Sequence, residues 1–319
     1  MVFKISVYGT QPILERQDDM KILNFGSLNI DYVYRVKRFA RPGETVRSKS
    51  LRRVCGGKGL NQSIALARGG GQVCHAGNLG KDDGAILLDQ LSAVGVDTSL
   101  IKSRDYPSGH AIIQVEDSGQ NCIMLCSGAN FLVSSEQIKK ILFHFGKGDL
   151  IILQNEINLL DEIIEQAYDR GMKIALNPSP MSDNIFGLPI KKVDILFVNE
   201  IEAAGILNEK NICKEDLLQK LSERFPETMI VLTLGRKGAA VAYHGADYYH
   251  GIYDVPVVDT TGAGDTFTGF FLAGFSKGKN IEECLELASK ASSLCVSRKG
   301  SSDSIPDLSE VENMNLKLI

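Results

Sequence analysis

Residues 258–274, VDTTGAGDTFTGFFLAG, form the most informative stretch of the chain. Their pattern predicts the end of a strand, a glycine-rich turn and then an apolar helix. Gly262, Ala263 and Gly264 have little or no side chain, so a phosphate can approach the backbone closely. The first amides of a helix have no partner within it, and the helix dipole favours negative charge there. The turn is therefore a candidate anion hole.

Asp265 lies at the mouth of this candidate anion hole. A carboxylate there would repel phosphate, but it can act as a base that takes a proton from a hydroxyl group attacking the phosphate. The alternative is an aspartate that merely caps the helix after a tight turn. Taken alone, the turn favours a helix-capping aspartate, whereas the turn together with the other motifs favours a catalytic base.

A second glycine-rich stretch, CGGKGLNQSIALARGG (55–70), precedes another predicted helix. Gly56 and Gly57 permit close backbone approach, while Lys58 and Asn61 add hydrogen-bond donors. The alternative is a helix start that carries a solvated lysine.

Asn29 and Asp31 follow a predicted strand in the stretch GSLNID (26–31). Side chains two residues apart on an extended segment point the same way, so this pair could bind vicinal hydroxyl groups. The alternative is an Asx turn.

Two further motifs follow predicted strands. In VNEIEA (198–203), Asn199 and Glu202 share a face at a helix start and could orient Mg²⁺-bound waters and phosphates, or could simply cap the helix. In TLGRKG (233–238), a turn bounded by glycines could lie along a nucleotide.

Strands and helices alternate along most of the chain, which predicts an α/β fold with a mostly parallel central sheet and helices on both faces. Ligands of such sheets bind at the carboxyl ends of the strands, and every motif except the loop at 56–61 follows a predicted strand. The predicted strands are KILNFGSL (21–28), DLIILQ (149–154), KIALN (173–177), DILFVN (194–199) and MIVLTLG (229–235).

Two segments have a different pattern, with short alternating runs around turn residues at about 32–54 and 110–126. They predict a small β-sheet that stands off the main body as a lid. We expect one domain over residues 21–319, preceded by an extension, residues 1–20, of unknown role.

Composition excludes several classes of protein. The net charge of −4 gives no general attraction to nucleic acid or to an anionic membrane. Seven cysteines without a CxxC pair indicate a reducing compartment, so we expect a cytoplasmic protein. The chain has no P-loop motif, and Phe267 occupies the position of the last glycine in a dinucleotide-binding GxGxxG motif.

DTTGAGD (259–265) and GGKGLN (56–61) resemble the two signatures of the ribokinase-like (PfkB) carbohydrate kinases. The resemblance runs in order over about residues 21–307 and includes SGAN (127–130) and NPSP (177–180). It implies an ATP-dependent kinase that transfers the γ-phosphate to a primary hydroxyl of a small sugar, with D-ribose as the expected substrate and Mg²⁺ and K⁺ as cofactors. It also implies that the lid clasps a second subunit, so we expect a homodimer.

The resemblance implies a role for each motif. Asp265 would be the base, and Gly262, Ala263 and Gly264 would be the anion hole. The sugar would be held by Asn29, Asp31, Gly57, Lys58, Asn61, Glu156 and Asp265. The residues around ATP and Mg²⁺ would be Asn199, Glu202 (to Mg²⁺ through water), Thr233, Gly235, Gly238 and Gly264. The positions matching the K⁺ site are Asp259, Thr261, Cys295, Gly300 and Ser304.

Three alternatives remain open at this point. A related kinase could act on deoxyribose, fructose or a nucleoside, although Asn29 and Asp31 favour a polyhydroxylated sugar. A sugar or nucleotide sensor without catalytic activity is a further candidate, and it predicts a damaged base or anion hole. Cys55, beside the glycine pair, could make the sugar site sensitive to oxidation.

Overall fold

A computed structural model describes residues 20–209 and 213–319, so the N-terminal extension except for Met20 lies outside the described residues. The strands within these residues are β1 (Ile22–Phe25), β2 (Asn29–Arg35), β3 (Ser50–Gly56), β4 (Val73–Gly80), β5 (Asp97–Arg104), β6 (Gly109–Val115), β7 (Asn121–Cys126), β8 (Leu150–Gln154), β9 (Lys173–Asn177), β10 (Ile195–Asn199), β11 (Met229–Thr233), β12 (Ala239–Tyr243) and β13 (Ala246–His250). The helices are α1 (Lys58–Arg68), α2 (Ala85–Ser92), α3 (Ser135–Leu142), α4 (Leu160–Asp169), α5 (Glu200–Leu207), α6 (Leu217–Arg224), α7 (Ala263–Ser276), α8 (Ile281–Val296) and α9 (Leu308–Asn313).

The larger sheet has nine strands in the order β13-β12-β11-β10-β9-β8-β1-β4-β5. The strands from β11 to β5 run parallel, and β12 and β13 are antiparallel additions at one edge. Apolar side chains cover both faces of the sheet, because α1, α2, α7 and α8 pack on one face and α3, α4, α5 and α6 on the other. The predicted fold class is confirmed.

The smaller sheet has four strands in the order β3-β2-β6-β7 and is built from the two segments predicted to form a lid. β2 and β6 are parallel, whereas β3 and β7 pair antiparallel with them. This sheet begins at Asn29, a few residues before the predicted lid boundary, so Asn29 and Asp31 lie on its strand β2.

The predicted strand before the anion hole is wrong. Apart from one isolated bridge at Tyr253, residues 251–260 form no strand. The backbone amides of Val258 and Asp259 instead donate to the carbonyl of Val296 at 2.8 and 3.2 Å. Val296 ends α8, where helix carbonyls lack partners within the helix, so it provides acceptors that a neighbouring strand would otherwise supply. The segment therefore reaches the turn along the end of α8.

Among the helices that the structure describes, none combines the length and the apolar character needed to cross a bilayer.

Candidate active site

The turn at the start of α7 has the geometry of an anion hole. Gly262 is the N-cap in the left-handed conformation, with φ of 77°, which a side chain would disfavour. Within the described residues, the amides of Gly262, Gly264 and Asp265 donate no backbone hydrogen bond, whereas the amide of Ala263, also predicted for the anion hole, donates to the carbonyl of Thr260 at 3.3 Å. Gly264 and Asp265 both line the cleft described below, and a β-carbon placed on Gly264 would meet no atom within 4 Å. The start of α7 therefore offers unpartnered donors to an anion.

Asp265 is held by α1 rather than by its own helix. Asn61 Nδ2 donates to Asp265 Oδ2 at 2.9 Å, and Gln62 Nε2 donates to Asp265 Oδ1 at 3.0 Å. The side chain is 8% exposed and borders the cleft described next. The interpretation of Asp265 as an N-cap is wrong, because Gly262 is the N-cap and the carboxylate bonds to another helix.

A cleft of about 230 Å³ joins α7 to the carboxyl ends of β9, β10 and β11. The predicted site residues that line it are Lys58, predicted for the sugar, and Asn199, Glu202, Thr233, Gly262, Gly264 and Asp265, predicted for nucleotide, metal, anion hole and base. Asn177, Ser179, Phe197, Val198, Thr260 and Thr268 complete the lining. A larger, apolar groove of about 370 Å³ around Ile185 and Phe225 contains none of the predicted site residues. The cleft at α7 is therefore the candidate active site.

Lys58 begins α1 and lies in this cleft among acidic groups. Burial opposes the charge of its ammonium group, but Asp265, Glu156 and Glu202 outweigh burial and raise the pKa of Lys58. The side chain therefore remains cationic at neutral pH, which suits a site for phosphate. Lys58 does begin a helix, and its half-buried position in the cleft favours a role at the site over the alternative of a solvated lysine.

Glu156 connects β8 to the glycine-rich loop. Its Oε2 accepts a hydrogen bond from the backbone amide of Lys58 at 2.9 Å and another from Ser27 Oγ. Burial raises the pKa of Glu156, although Lys58 and these hydrogen bonds act in the opposite direction. The carboxylate thus fixes the start of α1 against the loop that follows β1.

Asn29 and Asp31 lie on the strand of the smaller sheet that faces the glycine-rich loop. Asn29 Oδ1 accepts from Asn130 Nδ2 at 2.7 Å, and Asn29 pairs in register with Gly56. Burial raises the pKa of Asp31 to about 6, and the nearby charge of Glu156 adds to the effect. The Asx-turn alternative is wrong, because both residues belong to a strand.

Asn199 and Glu202 form a capping box and also line the cleft. Asn199 Oδ1 accepts from the amides of Ile201 and Glu202, both at 2.9 Å, and Glu202 Oε2 accepts from the amide of Asn199 at 2.9 Å. Within the described residues, Glu202 Oε1 makes no hydrogen bond. The capping alternative is thus confirmed, and one carboxylate oxygen remains for another partner.

The three predicted nucleotide residues after β11 differ in their surroundings. Thr233 lines the cleft, and a β-carbon on Gly235 would meet no atom within 4 Å. A β-carbon on Gly238 would lie 2.1 Å from the carbonyl oxygen of His250. Close packing against β13 therefore accounts for glycine at 238, whereas 235 borders open space.

The five residues predicted around K⁺ come together beside the anion hole. Asp259 Oδ1 accepts from Thr261 Oγ1 at 2.7 Å, and Asp259 Oδ2 accepts from the amide of Gly300 at 3.1 Å. Ser304 Oγ donates to the carbonyl of Gly300 at 2.8 Å and lies 3.1 Å from Cys295 Sγ. Burial alone would raise the pKa of Asp259, but the hydrogen bonds from Thr261 and Gly300 outweigh it, so the pKa of Asp259 is lowered. The cluster offers a carboxylate, a hydroxyl and carbonyl oxygens, a donor set that suits a hard cation.

No group of three or more His, Cys, Asp or Glu side chains in the described part of the chain could hold a metal ion alone. A Mg²⁺ ion with one protein carboxylate, waters and substrate phosphates is consistent with that result. The expected sensitivity of Cys55 to oxidation is not supported, because burial, with smaller effects of nearby carboxylates, raises the pKa of its thiol to about 11.

Sequence reasoning missed four residues that position the site: Ser27, Gln62, Asn130 and Gln154. Gln62 lies in the stretch 55–70 and Asn130 in SGAN, but the sequence pattern alone assigns neither of them a role. A glutamine at the end of the otherwise apolar strand LIILQ (150–154) is the one sign in the sequence that points to Gln154, since a buried amide needs partners.

Comparisons with known proteins agree with this geometry. The model of the pfkB family of carbohydrate kinases matches residues 19–308. A ribokinase from Haemophilus influenzae is 32% identical over 295 residues, which cover 89% of this chain and 95% of that protein. The crystal structure of ribokinase from Cryptococcus neoformans var. grubii in complex with ADP has a TM-score of 0.83 at 32% identity and covers 92% of this chain and 99% of that one. The structure of Arabidopsis thaliana ribokinase with ribose and ATP has a TM-score of 0.81 at 29% identity, with coverage of 92% and 97%. The chain therefore belongs to the pfkB family of carbohydrate kinases.

Proposed function

We propose that this chain is an ATP-dependent kinase that phosphorylates the 5-hydroxyl of D-ribose. One observation carries the proposal: the carboxylate of Asp265 and the unpartnered amides at the start of α7 border the same cleft. A base and an anion hole so close together suit the transfer of a phosphoryl group to a hydroxyl. Relatives whose names state ribokinase, together with a neighbour solved with ribose and ATP, support ribose as the acceptor.

In the proposed reaction, Asp265 accepts the proton of the attacking hydroxyl, while Asn61 and Gln62 hold its carboxylate in place. The amides of Gly264 and Asp265 stabilise negative charge on the phosphoryl oxygens. Lys58 lines the same cleft and supplies a positive charge to the phosphates. The reacting groups are thus held by two helices, α1 and α7.

The nucleotide would lie at the ends of β10 and β11, against Asn199, Thr233 and Gly235. Glu202, with Oε1 free of hydrogen bonds in the described residues, would orient water molecules of Mg²⁺. A Mg²⁺ ion bound to the phosphates neutralises their charge. The oxygen cluster around Asp259 would hold K⁺ beside the anion hole.

The sugar would lie between the two sheets, held by Asn29, Asp31, Gly57, Lys58, Asn61 and Glu156. Asn29 and Asp31 offer an amide and a carboxylate, which can bind adjacent hydroxyl groups of ribose. Deoxyribose lacks the 2-hydroxyl, so it would leave one of these buried polar groups without a partner. Ribose is therefore favoured over deoxyribose at this site.

We also propose that the smaller sheet of one subunit covers that of a second copy. All six residues of β7 are exposed, including Ile123 at 57%, Met124 at 63% and Leu125 at 48%. An edge strand with such apolar exposure is a candidate for contact with another chain. Sedimentation of the wild type and of Met124→Lys tests this, and a wild-type monomer at micromolar concentration would contradict it.

The seven free cysteines support a reducing compartment such as the cytoplasm.

The decisive experiment measures ADP formation with ribose, deoxyribose, fructose and adenosine, followed by identification of the phosphorylated carbon by NMR. We expect the highest kcat/KM with ribose and a 5-phosphate product. A higher kcat/KM with another acceptor would identify that acceptor as the substrate in place of ribose. Binding of ribose and ATP without ADP formation would favour the sensor. Asp265→Asn should lower kcat by about 10²–10⁴-fold while both ligands still bind. Asp169→Asn, at an exposed position at the end of α4, is the control.

A further inference from the structure

Gln62, which holds the carboxylate of Asp265, is itself held by a chain of buried amides that the proposed reaction as described so far does not use. Gln62 Nε2 donates to Asp265 Oδ1, and Gln62 Oε1 accepts from Gln154 Nε2 at 2.8 Å. Gln154 Nε2 also donates to Asn24 Oδ1 at 3.0 Å. The side chains of Asn24, Gln62 and Gln154 are fully buried. The base is thus linked to the interior of the sheet at β1 and β8.

The chain continues on the far side of Asn24. Asn24 Nδ2 donates to the carbonyl of Gly59 and to Ser63 Oγ, both at 2.8 Å. Ser63 Oγ lies 2.8 Å from His75 Nδ1. Burial lowers the pKa of His75 to about 4, so the imidazole is neutral at physiological pH and Nδ1 can accept the proton of Ser63. Both ends of the chain therefore meet groups that can only accept hydrogen bonds: the carboxylate of Asp265 and the carbonyl of Gly59.

These partners allow only one orientation of the two glutamines. An ionised carboxylate accepts hydrogen bonds but cannot donate them, so Gln62 must present Nε2 to Asp265. Its oxygen then faces Gln154, which must present Nε2 in turn. If Gln154 were rotated by 180°, its oxygen would face the oxygens of Asn24 and Gln62 and both hydrogen bonds would be lost. The donor that Gln154 presents to Gln62 therefore favours the same orientation of Gln62 that Asp265 requires.

The surrounding backbone is shaped to admit Gln154. A β-carbon on Gly26 would lie 2.2 Å from Gln154 Oε1 and 2.7 Å from the α-carbon of Gly59. The amide therefore packs closely against bare backbone at this point. Gln154 Oε1 itself makes no hydrogen bond in the described part of the structure. An unpaired buried oxygen is unfavourable, and the two hydrogen bonds that Gln154 Nε2 donates must compensate for this cost.

We propose that Gln62 and Gln154 are positioning residues for the base of the proposed kinase reaction, with Gln154 acting through Gln62. The inference rests on the proposed function, because it assigns these amides a task only if Asp265 is the base. Gln62 keeps the carboxylate turned toward the cleft, and Gln154 keeps Gln62 from turning its oxygen toward the carboxylate.

The test is a double-mutant cycle in the full-length enzyme with Gln62→Met, Gln154→Met and the double variant. We expect Gln62→Met to lower kcat by about 10–100-fold, since a displacement of about 1 Å at the reacting groups can reduce rate by about 10²-fold. Gln154→Met should lower kcat less, and the double variant should match Gln62→Met, because both act through one hydrogen bond to Asp265. KM for ribose and for ATP should stay within about threefold.

Two measurements separate this role from a loss of folded protein. The number of ribose and ADP binding sites per chain, measured by calorimetry, should equal that of the wild type. The acidic limb of the pH profile of kcat should move to higher pH in Gln62→Met, because a donor to the carboxylate has been removed. If Gln62→Met fails to fold, Gln62→Leu also removes the donor to Asp265, and the same loss of kcat is expected. Gln137→Met, a buried glutamine on α3 that bonds to Asn78, is the matched control and should keep wild-type kcat.

Two results would overturn the inference while leaving the proposed function intact. One is a wild type that phosphorylates ribose and a Gln62→Met variant whose kcat is within twofold of it. The other is a double variant whose loss equals the product of the two single losses. A wild type that phosphorylates no sugar would instead refute the proposed function, and the inference with it.

Discussion

Asn130 donates its side-chain amide to Asn29 Oδ1 at 2.7 Å and accepts the backbone amide of Leu28 at 3.0 Å. Asn130 is 1% exposed and follows β7, whereas Asn29 begins β2, so this pair joins the smaller sheet to the main body. Because Asn29 Oδ1 is occupied by Asn130, its Nδ2 remains available to donate to a sugar hydroxyl in the proposed site.

We therefore expect Asn130→Asp to weaken ribose binding. The aspartate keeps an acceptor for Leu28 but has no donor for Asn29, whose amide would turn and present its oxygen to the sugar. The loss of one hydrogen bond of about 1–2 kcal/mol corresponds to about a 5–30-fold rise in the Kd for ribose. Calorimetric titration measures it, and the Kd for ATP should not change.

The control for this prediction is Asn78→Asp. Asn78 is also fully buried, and its Oδ1 accepts hydrogen bonds from Arg104 and Gln137, which an aspartate would keep. It lies outside the proposed sugar residues, so ribose affinity should stay at the wild-type value. Equal losses in the two variants would mean that general damage, and not the orientation of Asn29, explains the effect.

Ribose binding should depend on pH through Asp31. Burial, reinforced by Glu156, raises the pKa of this carboxyl to about 6, so it loses its charge as the pH falls through that value. If the carboxylate is the form that accepts the sugar's hydroxyl protons, affinity should be constant above pH 7 and fall about tenfold per pH unit well below pH 6.

Calorimetry with ribose from pH 5 to 8 measures this dependence. Asp31→Asn should bind ribose more weakly but with little dependence on pH over that range, since the introduced amide does not titrate. Glu156 and Lys58 face the same region and are unchanged in this variant, so any dependence that remains belongs to them. Equal wild-type affinities at pH 5 and pH 7 would contradict the assignment to Asp31.

The same carboxyl should make the folded protein less stable at neutral pH. Its folded-state pKa of about 6 lies above the ordinary value of 3.8, so the folded protein binds the proton more tightly than the unfolded chain. The resulting stabilisation is fully present below about pH 4 and is lost as the pH rises through 6. Asp31→Asn should therefore raise the free energy of unfolding by about 1–3 kcal/mol at pH 8 and by much less at pH 4.

Urea denaturation at the two pH values measures this difference. Asp117→Asn, in an exposed pair with Lys49, is the control and should change the free energy of unfolding by about 0.5 kcal/mol or less at either pH. A gain at pH 4 as large as the gain at pH 8 would show that the effect does not come from ionisation of Asp31.

Local patterns were sufficient for the parts of the site that depend on the backbone. The starts of α1 and α7 follow from glycines before apolar helices, and the end of β10 follows from an apolar run that stops at Asn199, whereas β11 ends at Thr233, two residues before the predicted end. Local patterns failed before Thr260, where apolar residues predict a strand that is not formed. Val257 and Val258 are 54% and 59% exposed, and the amide of Val258 bonds to the end of α8 instead.

The residues that hold Asp265 could not be predicted from local pattern. Gln154 lies 92 positions from Gln62 and 130 from Asn24, so their contact depends on the order of strands in the sheet. Asn24 lies within the run ILNF, which predicts a buried strand equally well with an apolar residue there. Only the partners of a buried amide reveal its role, and these partners come from other elements.

The oxygen cluster around Asp259 should make the enzyme respond to K⁺. Asp259 is held by Thr261 and Gly300 and carries a lowered pKa, so it is ionised and can balance a cation beside the first turn of α7. At constant ionic strength, replacing tetramethylammonium by K⁺ should raise Tm, because an ion that binds only the folded state stabilises it. Replacing tetramethylammonium by K⁺ should also raise kcat, because the bound ion would fix the segment that carries the proposed anion hole.

Asp259→Asn should remove both responses and leave kcat near the cation-free level of the wild type. Scanning calorimetry and ADP formation over a series of KCl concentrations measure the two responses in the same samples. Asp254→Asn, on the same segment but outside the cluster, should keep both. A Tm that rises equally with K⁺ in Asp259→Asn and in the wild type would place the cation elsewhere, and a rise in kcat without any rise in Tm would point to an effect on the nucleotide.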